Sequence, residues 1–381
     1  MYKETIDFIK KLYPKESFVP LHVPRFIGNE KKYLNECIDS TYVSYVGNFV
    51  GQFEDMVKEF TGAKHAIAIS NGTLALHTSL ILANVSSNDE VLTQALTFVA
   101  TANAISYTGA KCIFIDSEKD SMGMCPKKLE EFLSTKCIIK DDGFTYNKKT
   151  NKRIPVCIPM HVFGHPVKID KIADICAKYN IMLIEDAAES LGSYYKNKHT
   201  GVFGKMGVLS FNGNKTITTG GGGMLITNDD ALAKRAIHIT KTAKVADPWE
   251  FFHDEIGYNY RLSNLNAAVG CAQMENLIMF LQNKRELAGL YKEFFDSIKI
   301  TFVSEPKDCV SNYWLNAILL DNREQRDLFL KETNANGVAT RPVWRLMNKL
   351  PMYKDCETTD LTNAQWLEDR VVNIPSSVRA K

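Results

Sequence analysis

Short apolar runs alternate with amphipathic segments between about residues 62 and 227, and this alternation predicts strands joined by crossover helices. Several of the predicted strands are apolar throughout, as expected for strands that are buried on both faces of a largely parallel sheet. We therefore expect an α/β protein with a mostly parallel central sheet. The predicted strands are HAIAIS (65–70), KCIFID (111–116), PVCIPM (155–160), IMLIED (181–186) and GVLSF (207–211).

The segments between these strands carry helical and loop signals. KKLEEFL (127–133) and KIDKIADICAKYN (168–180) have apolar residues at helical spacing. The polar stretch 140–153 contains Asp-Gly and predicts an exposed hairpin or loop.

The C-terminal third of the chain has a different organisation. From Leu265 to about Ile298 the pattern predicts one long helix of the kind that joins two domains. Beyond it, strand-like runs at 299–303, 313–320 and 337–344 alternate with helical stretches such as 323–334, which predicts a smaller α/β domain. We expect a large domain over residues 1–250, including the N-terminal segment, and the linking helix with the small domain over 251–381.

Composition narrows the classes of function. The chain has 381 residues, of which 45% are apolar, so two packed domains are within reach. Its 46 basic and 44 acidic residues nearly cancel, which gives no reason to expect a nucleic-acid or membrane partner. Nine cysteines without a Cys-x-x-Cys pair argue against a zinc site and a disulfide framework, and we expect no metal. No segment has the length and apolarity of a signal peptide or a membrane span, so we expect a cytoplasmic protein.

A candidate anion site follows the first predicted strand. ISNGTLALHTSL (69–80) combines a strand end, a Ser-Asn-Gly-Thr turn and a helix start. Free amides at a helix N-terminus, with Gly72 allowing close approach and Thr73 adding a hydroxyl, can hold a phosphate. Taken alone, the same residues describe an ordinary turn and helix cap.

Acidic residues end another predicted strand. IEDAAES (184–190) places Glu185, Asp186 and Glu189 at the carboxyl end of a buried strand, where ligands of open parallel sheets bind. An acid at that edge can pair with a cationic ring nitrogen. It can also cap a helix, and the two interpretations are compatible.

Lys215 follows a third strand end, in SFNGNKTITTGGGGMLIT (210–227), where asparagines and glycines permit unusual backbone angles. Such a segment can direct the lysine inward, although most lysines are solvated surface residues. An inward lysine amine can form a Schiff base with an aldehyde and move protons. A phosphate cradle, a strand-end acid and an inward lysine, in that order, match the requirements of pyridoxal phosphate.

These segments and others along nearly the whole chain resemble the DegT/DnrJ/EryC1/StrS family of pyridoxal phosphate-dependent sugar aminotransferases. The resemblance implies the aspartate-aminotransferase fold (fold type I). The segments that carry it are SNGTLALH, TFVATANAI, HVFGHPVKID, EDAAESLGS, GVFGKMGVLSFNGNKTITTGGGGML and GYNYRLSNLNAAVGCAQ.

The resemblance implies a role for each candidate residue. Lys215 is expected to be catalytic and to bind the cofactor aldehyde, and Asp186 to pair with the pyridine nitrogen. Glu189 stands near the ring's 3-hydroxyl, where many relatives carry glutamine. Phe98 is expected to stack on the ring, and Asn259 to reach the phosphate of the neighbouring subunit's cofactor, which implies a homodimer with shared active sites. The expected phosphate ligands are Gly72, Thr73 and Ser210.

Within the family, GNKTITTGGGG, EDAAESLGS and GVATRPVWRLMNKLPMY look closest to the enzymes of the legionaminic acid branch. Those enzymes move an amine, here from glutamate, to C4 of a nucleotide-linked 4-keto-6-deoxy-N-acetylhexosamine. The alternatives are a perosamine synthase acting on GDP-4-keto-6-deoxymannose, a C3-aminating or dehydratase relative, and a non-catalytic sugar-nucleotide-binding protein. The dehydrating group carries histidine in place of the lysine, so Lys215 argues against it.

Overall fold

A computed structural model of the chain describes residues 2–379. Its helices are α1 (Tyr2–Leu12), α2 (Glu30–Asp39), α3 (Asn48–Thr61), α4 (Gly72–Leu82), α5 (Val99–Tyr107), α6 (Pro126–Lys136), α7 (Ile169–Lys178), α8 (Asp230–Thr240), α9 (Asn264–Glu275), α10 (Leu277–Ser297), α11 (Arg323–Ala335) and α12 (Thr362–Glu368). Short 3-10 turns lie at Val162–Gly164, Met347–Lys349 and Pro351–Tyr353.

The strands complete the element order. They are β1 (His65–Ile69), β2 (Asp89–Gln94), β3 (Lys111–Ile115), β4 (Cys137–Ile139), β5 (Thr145–Asn147), β6 (Arg153–Ile158), β7 (Met182–Asp186), β8 (Tyr194–Tyr195), β9 (Lys198–His199), β10 (Met206–Ser210), β11 (Gly223–Thr227), β12 (Thr301–Phe302), β13 (Cys309–Val310), β14 (Asn316–Leu319), β15 (Arg341–Pro342), β16 (Glu357–Thr358) and β17 (Val371–Ile374).

The main sheet has ten strands in the order β1-β11-β10-β7-β6-β2-β3-β16, with β5 beside β6 and β4 beside β5. The run from β10 through β16 is parallel, whereas β11 is antiparallel to both of its neighbours. Because β1 and β10 both pair with β11 in this way, they point in the same direction. Their last residues, Ile69 and Ser210, both face Gly223 across the ladder. The carboxyl ends of β1, β10 and β7 therefore meet at one edge of the sheet.

The structure confirms the predicted α/β class and the mostly parallel sheet. All five strands predicted between residues 62 and 227 belong to it, and the two predicted helices are α6 and α7. The polar stretch 140–153, predicted as an exposed hairpin or loop, contains β5 and the two turns that join it to its antiparallel neighbours β4 and β6. The prediction of one long helix was wrong, because the helical conformation is interrupted at Asn276, which separates α9 from α10.

The C-terminal part forms a second sheet in the order β12-β14-β17-β15. Its core also takes in the N-terminal helix, since Ile9 of α1 is buried in one cluster with Tyr291 and Phe329. Strand β16 lies in the C-terminal part of the sequence but pairs with β3 of the main sheet. The division of the chain near residue 250 stays a prediction.

Two further expectations concern cysteines and membranes. The nine cysteines are unpaired, and seven of them are buried, as expected for core thiols. Within residues 2–379, no helix has both the length and the apolarity needed to cross a bilayer.

Candidate active site

Lys215 lies in the turn after β10 and points into the protein. Only 11% of its side chain is exposed. Its Nζ is 3.1 Å from Oε1 of Glu189 and 3.9 Å from the ring centre of Trp314. The indole of Trp314 is fixed in turn, because its Nε1 donates to the carbonyl of Asn214, 2.6 Å away. The predicted inward lysine is therefore enclosed by one carboxylate and one aromatic face.

Asp186 and Glu185 end β7 and face opposite sides of the sheet, as adjacent strand residues must. Asp186 accepts from the Thr101 hydroxyl at 2.6 Å and from the Ala188 amide at 3.1 Å. Burial raises the pKa of Asp186, against the Thr101 hydrogen bond and the charge of Lys215. Asp186 is thus a buried carboxylate close enough to Lys215 to interact with its charge.

Glu185 serves the fold on the other side of β7. It accepts from the amides of Gly201, Phe203 and Gly204 and lies 3.1 Å from Nε2 of His161. The Nδ1 of His161 accepts from the Val167 amide, so its proton lies on Nε2 and is donated to Glu185. Burial alone would raise the pKa of Glu185, but these donors outweigh it and lower the pKa.

Glu189 connects the lysine to the backbone. Its Oε1 faces Lys215, while its Oε2 accepts from the Phe163 amide at 2.9 Å. Burial raises the pKa of Glu189 to about 7, although the charge of Lys215 and the Phe163 amide oppose that increase. A carboxyl group with this pKa can hold or release a proton near neutral pH.

The predicted anion turn lies beside the end of β10. Asn71 caps α4 by accepting from the Leu74 amide at 2.9 Å, and the amides of Gly72 and Thr73 precede the first intrahelical hydrogen bond. A Cβ on Gly72 would lie 3.0 Å from Cβ and 3.3 Å from Oγ of Ser210. The structure thus brings Gly72 and Ser210 together, and an added side chain would fill the space between them.

Two glycines of the run 220–223 are needed for different structural reasons. Gly220 has a φ of 82°, in the region that favours glycine. A Cβ on Gly223 would lie 2.5 Å from the carbonyl carbon of Asn71 and 2.6 Å from the nitrogen of Gly72. Gly223 therefore allows β11 to pass directly beneath the first turn of α4.

A series of neighbouring aromatic rings connects Phe98 to Trp314, since Phe163 lies 6.4 Å from Trp314 between ring centres. Phe98 precedes α5 and is 46% exposed. Its ring centre is 6.1 Å from that of Trp344, which is 5.0 Å from that of Phe163. The Phe98 carbonyl accepts from the amide of Thr101, the residue that donates to Asp186. Phe98 is thus placed near Asp186, and its stacking role stays a prediction.

Asn259 lies outside this group. Its side chain is exposed, and its backbone forms a bridge with Lys241. The loop just before it exposes Trp249, Phe251 and Ile256, with exposed fractions of 89%, 82% and 84%. The proposed contact with a neighbouring subunit stays a prediction.

Sequence reasoning missed several residues of the site. Thr101 lies within TFVATANAI, but nothing in that segment marked it as the partner of Asp186. Trp314 comes from the C-terminal part of the chain, about 100 residues beyond the lysine, and sequence spacing gives no signal for such a contact. The alternation of side chains along β7 could have separated Glu185 from the site.

Another group of polar residues lies on the surface. The side chains of His238, Asp254 and Glu255 each offer one atom that could bind a metal ion, and these atoms lie within 4.8 Å of one another. His238 already pairs with Asp254 at 2.7 Å, and Glu255 with Arg235 at 3.3 Å. The cluster carries no metal assignment.

The donor set fits pyridoxal phosphate. The free amides of Gly72 and Thr73 at a helix N-terminus, beside the Ser210 hydroxyl, suit a phosphate. The buried carboxylate of Asp186 suits a protonated ring nitrogen, and Lys215 suits an aldehyde. The fold and this site define a pyridoxal phosphate-dependent aminotransferase of fold type I. The chain belongs to the DegT/DnrJ/EryC1/StrS aminotransferase family, whose model matches residues 25–381.

Individual relatives agree with this assignment. The chain is 38% identical over 360 residues to GDP-perosamine synthase of Escherichia coli O157:H7, covering 94% of this chain and 93% of that protein. It is 33% identical over 361 residues to the GDP-perosamine synthase of Vibrio cholerae, covering 94% of each. The structure of PseC of Helicobacter pylori, an aminotransferase involved in the biosynthesis of pseudoaminic acid, matches with a TM-score of 0.85 at 24% identity, covering 94% and 93% of the two chains.

These relatives correct the finer expectation from the sequence. They support a sugar aminotransferase, but they match the perosamine-synthase alternative better than the legionaminic acid branch. The segments GNKTITTGGGG and EDAAESLGS are therefore weak guides to the sugar, because they surround the lysine and the strand-end acids that are expected to bind the cofactor.

Proposed function

We propose that this enzyme moves an amine from glutamate to C4 of GDP-linked 4-keto-6-deoxymannose. The observation that carries the proposal is the 38% identity to a GDP-perosamine synthase over 94% of the chain, together with a site in which Lys215 faces Glu189 and Trp314. The UDP-linked 4-keto-6-deoxy-N-acetylhexosamine of the legionaminic acid branch is the competing substrate.

The cofactor, when bound, supplies an electron sink for the carbon that loses its proton. Lys215 would hold the cofactor through its aldehyde, and Nζ of the same lysine would take up and return the proton of the substrate carbon. The Asp186 carboxylate would hold the ring nitrogen in its protonated form. Glu189 accepts a hydrogen bond from Nζ of Lys215 at 3.1 Å and so fixes the position of that amine.

We also propose that the enzyme acts in the cytoplasm as a homodimer with shared sites. The support is the exposed apolar loop beside Asn259, which carries Trp249, Phe251 and Ile256. Three large apolar side chains exposed on one loop are better explained by a protein contact than by an isolated chain.

The substrate proposal is tested with the purified, cofactor-loaded protein, glutamate, and a panel of GDP- and UDP-linked 4-keto sugars. Products are read by mass and NMR. We expect the 4-amino product from the GDP-linked 4-keto-6-deoxymannose, and no product from Lys215→Ala. Preferential amination of the UDP-linked N-acetyl sugar would overturn the GDP assignment, and amination at C3 would overturn the regiochemistry.

A further inference from the structure

Trp314 is held by three hydrogen bonds. Its amide donates to Oδ1 of Asn312 at 2.8 Å, and its carbonyl accepts from Nζ of Lys284 at 3.1 Å. Its indole Nε1 donates to the carbonyl of Asn214, the residue just before Lys215, at 2.6 Å. Only 4% of Trp314 is exposed. Both the backbone and the ring of this residue are therefore fixed relative to the turn that carries the lysine.

Asn312 ties the same part of the chain to the surroundings of the lysine. Its Nδ2 donates to the backbone carbonyl of Glu189 at 2.9 Å and to the hydroxyl of Thr216, the residue after Lys215, at 3.2 Å. An aromatic residue that only fills the core needs shape and burial. Trp314 is connected in addition, directly or through Asn312, to the residues on both sides of the lysine in the sequence.

The indole ring contacts the amine of Lys215 directly. Nζ lies 3.9 Å from the ring centre of Trp314, inside the range of about 6 Å over which an aromatic face attracts a cation. The contact is largely shielded from water, since only 11% of the lysine side chain is exposed. Indole is the strongest of the aromatic partners, and shielding from water strengthens the attraction. Together with Glu189, 3.1 Å from the same Nζ, the ring favours the charged form of a free lysine amine.

We propose that the indole of Trp314 holds the Lys215 ammonium whenever this lysine is not bonded to the cofactor, and that Trp314 is in this sense a positioning residue. The inference rests on the proposed transamination, in which Lys215 is free while the cofactor carries the amine of the donor. A lysine held by the indole and Glu189 stays in the site and does not turn toward solvent. Because the indole stabilises the free lysine, it also favours the transfer of the amine from glutamate to the cofactor.

Two substitutions separate the aromatic face from the rest of the side chain. Trp314→Phe and Trp314→Leu both lose the hydrogen bond to Asn214, but only Trp314→Phe keeps an aromatic ring. With cofactor-free protein at pH 7, absorbance follows the reaction of Lys215 with pyridoxal phosphate, and the rate of Lys215→Ala is subtracted. Because only a neutral amine attacks an aldehyde, we expect Trp314→Leu to react about threefold to tenfold faster than Trp314→Phe. Trp366→Leu is the control and leaves the rate unchanged, because the ring of Trp366 on α12 lies 4.4 Å from Nζ of another lysine, Lys119.

Fluorinated tryptophan tests the same contact without a cavity or a change in fold. Fluorine withdraws charge from the indole face and so weakens its attraction for a cation. We expect the wild type made with fluorotryptophan to react faster with pyridoxal phosphate, and faster still with each added fluorine. Trp314→Phe made in the same way keeps the three other tryptophans and shows no such increase. Equal rates for Trp314→Leu and Trp314→Phe, no fluorine effect in the wild type, or the same effect in Trp314→Phe would overturn the proposal.

The consequence for transamination is measured separately. Cofactor-loaded protein is titrated with glutamate at a fixed concentration of 2-oxoglutarate, and the loss of the yellow absorbance is read at equilibrium. We expect fluorination to raise the glutamate concentration that bleaches half of the cofactor by about threefold, because the free lysine is less stable. An unchanged concentration would overturn the role of Trp314 in amine transfer. If glutamate fails to bleach the wild type, the proposed function fails instead, and the reaction of the cofactor-free protein still decides whether the indole holds the lysine.

Discussion

At the residue scale, the site depends on which carboxyl groups are ionised around Lys215. The sequence predicted Lys215, Asp186 and Glu189 from their positions near strand ends, and the structure brings all three together. It could not predict that Glu189 pairs with the lysine, because that contact depends on the path of the turn after β10.

Glu189 gives a prediction for the cofactor-free protein. Its folded pKa of about 7 lies above the ordinary value of 4.5, so the folded state binds this proton more tightly than the unfolded state. Its contribution to stability is therefore fully present below about pH 4.5 and is lost as the pH rises through about 7. We expect Glu189→Gln to become progressively more stable relative to the wild type over this range, by up to about 3 kcal/mol at 1.36 kcal/mol per pKa unit.

Urea unfolding of Glu189→Gln and the wild type at pH 5.5, 7 and 8.5 measures this difference in the free energy of unfolding. The contributions of groups that titrate identically in the two proteins cancel. Glu185→Gln is the matched control, because the pKa of Glu185 is lowered below its ordinary value of 4.5 and the group stays ionised throughout this pH range. The difference between Glu185→Gln and the wild type is therefore expected to stay constant from pH 5.5 to 8.5. A pH-independent difference between Glu189→Gln and the wild type would contradict the assignment.

At the element scale, the turn before α4 and the glycine run that leads into β11 pack directly against each other. The sequence predicted the helix start and the flexibility of the glycine run, and it predicted β1 and β10 from their apolar residues. It did not predict the antiparallel strand β11 between them, because the direction of a strand depends on its connections. The contact of Gly223 with Asn71 and Gly72 therefore became visible only in the structure.

Gly223→Ala gives the prediction for this arrangement. The added Cβ would lie 2.5 to 2.6 Å from backbone atoms of Asn71 and Gly72, and backbone cannot turn aside as a flexible side chain can. We expect a loss of about 1–3 kcal/mol in the free energy of unfolding. We also expect pyridoxal phosphate affinity to fall about tenfold, as measured by absorbance titration. Gly221→Ala is the control, because the nearest atom to its Cβ is 3.8 Å away. Equal behaviour of the two variants would show that α4 is not held by β11.

At the scale of the whole molecule, the prediction concerns assembly. The family resemblance predicted that Asn259 serves a neighbouring subunit, and in the structure this residue is exposed beside an apolar loop. The loop residues Trp249 and Phe251 were not singled out in the sequence, since an apolar residue in a polar stretch can equally well be buried. Their exposure becomes informative only once the packing of the rest of the chain is known.

Subunit mixing tests the shared site. Two inactive variants, Lys215→Ala and a severely impaired Asn259→Ala, are mixed under conditions that allow subunits to exchange. In a mixed C2 dimer, one site takes Lys215 from the Asn259→Ala subunit and Asn259 from the other, so it is wild type at both positions. The second site carries both defects.

We therefore expect exchange to restore activity, up to about one quarter of the wild-type level, since about half of randomly exchanged dimers are mixed and each has one intact site. Mass spectrometry of the intact dimer verifies the exchange. If exchange is complete and activity stays absent, or if a stable monomer is fully active, Asn259 acts only within its own chain and the exposed loop needs another partner.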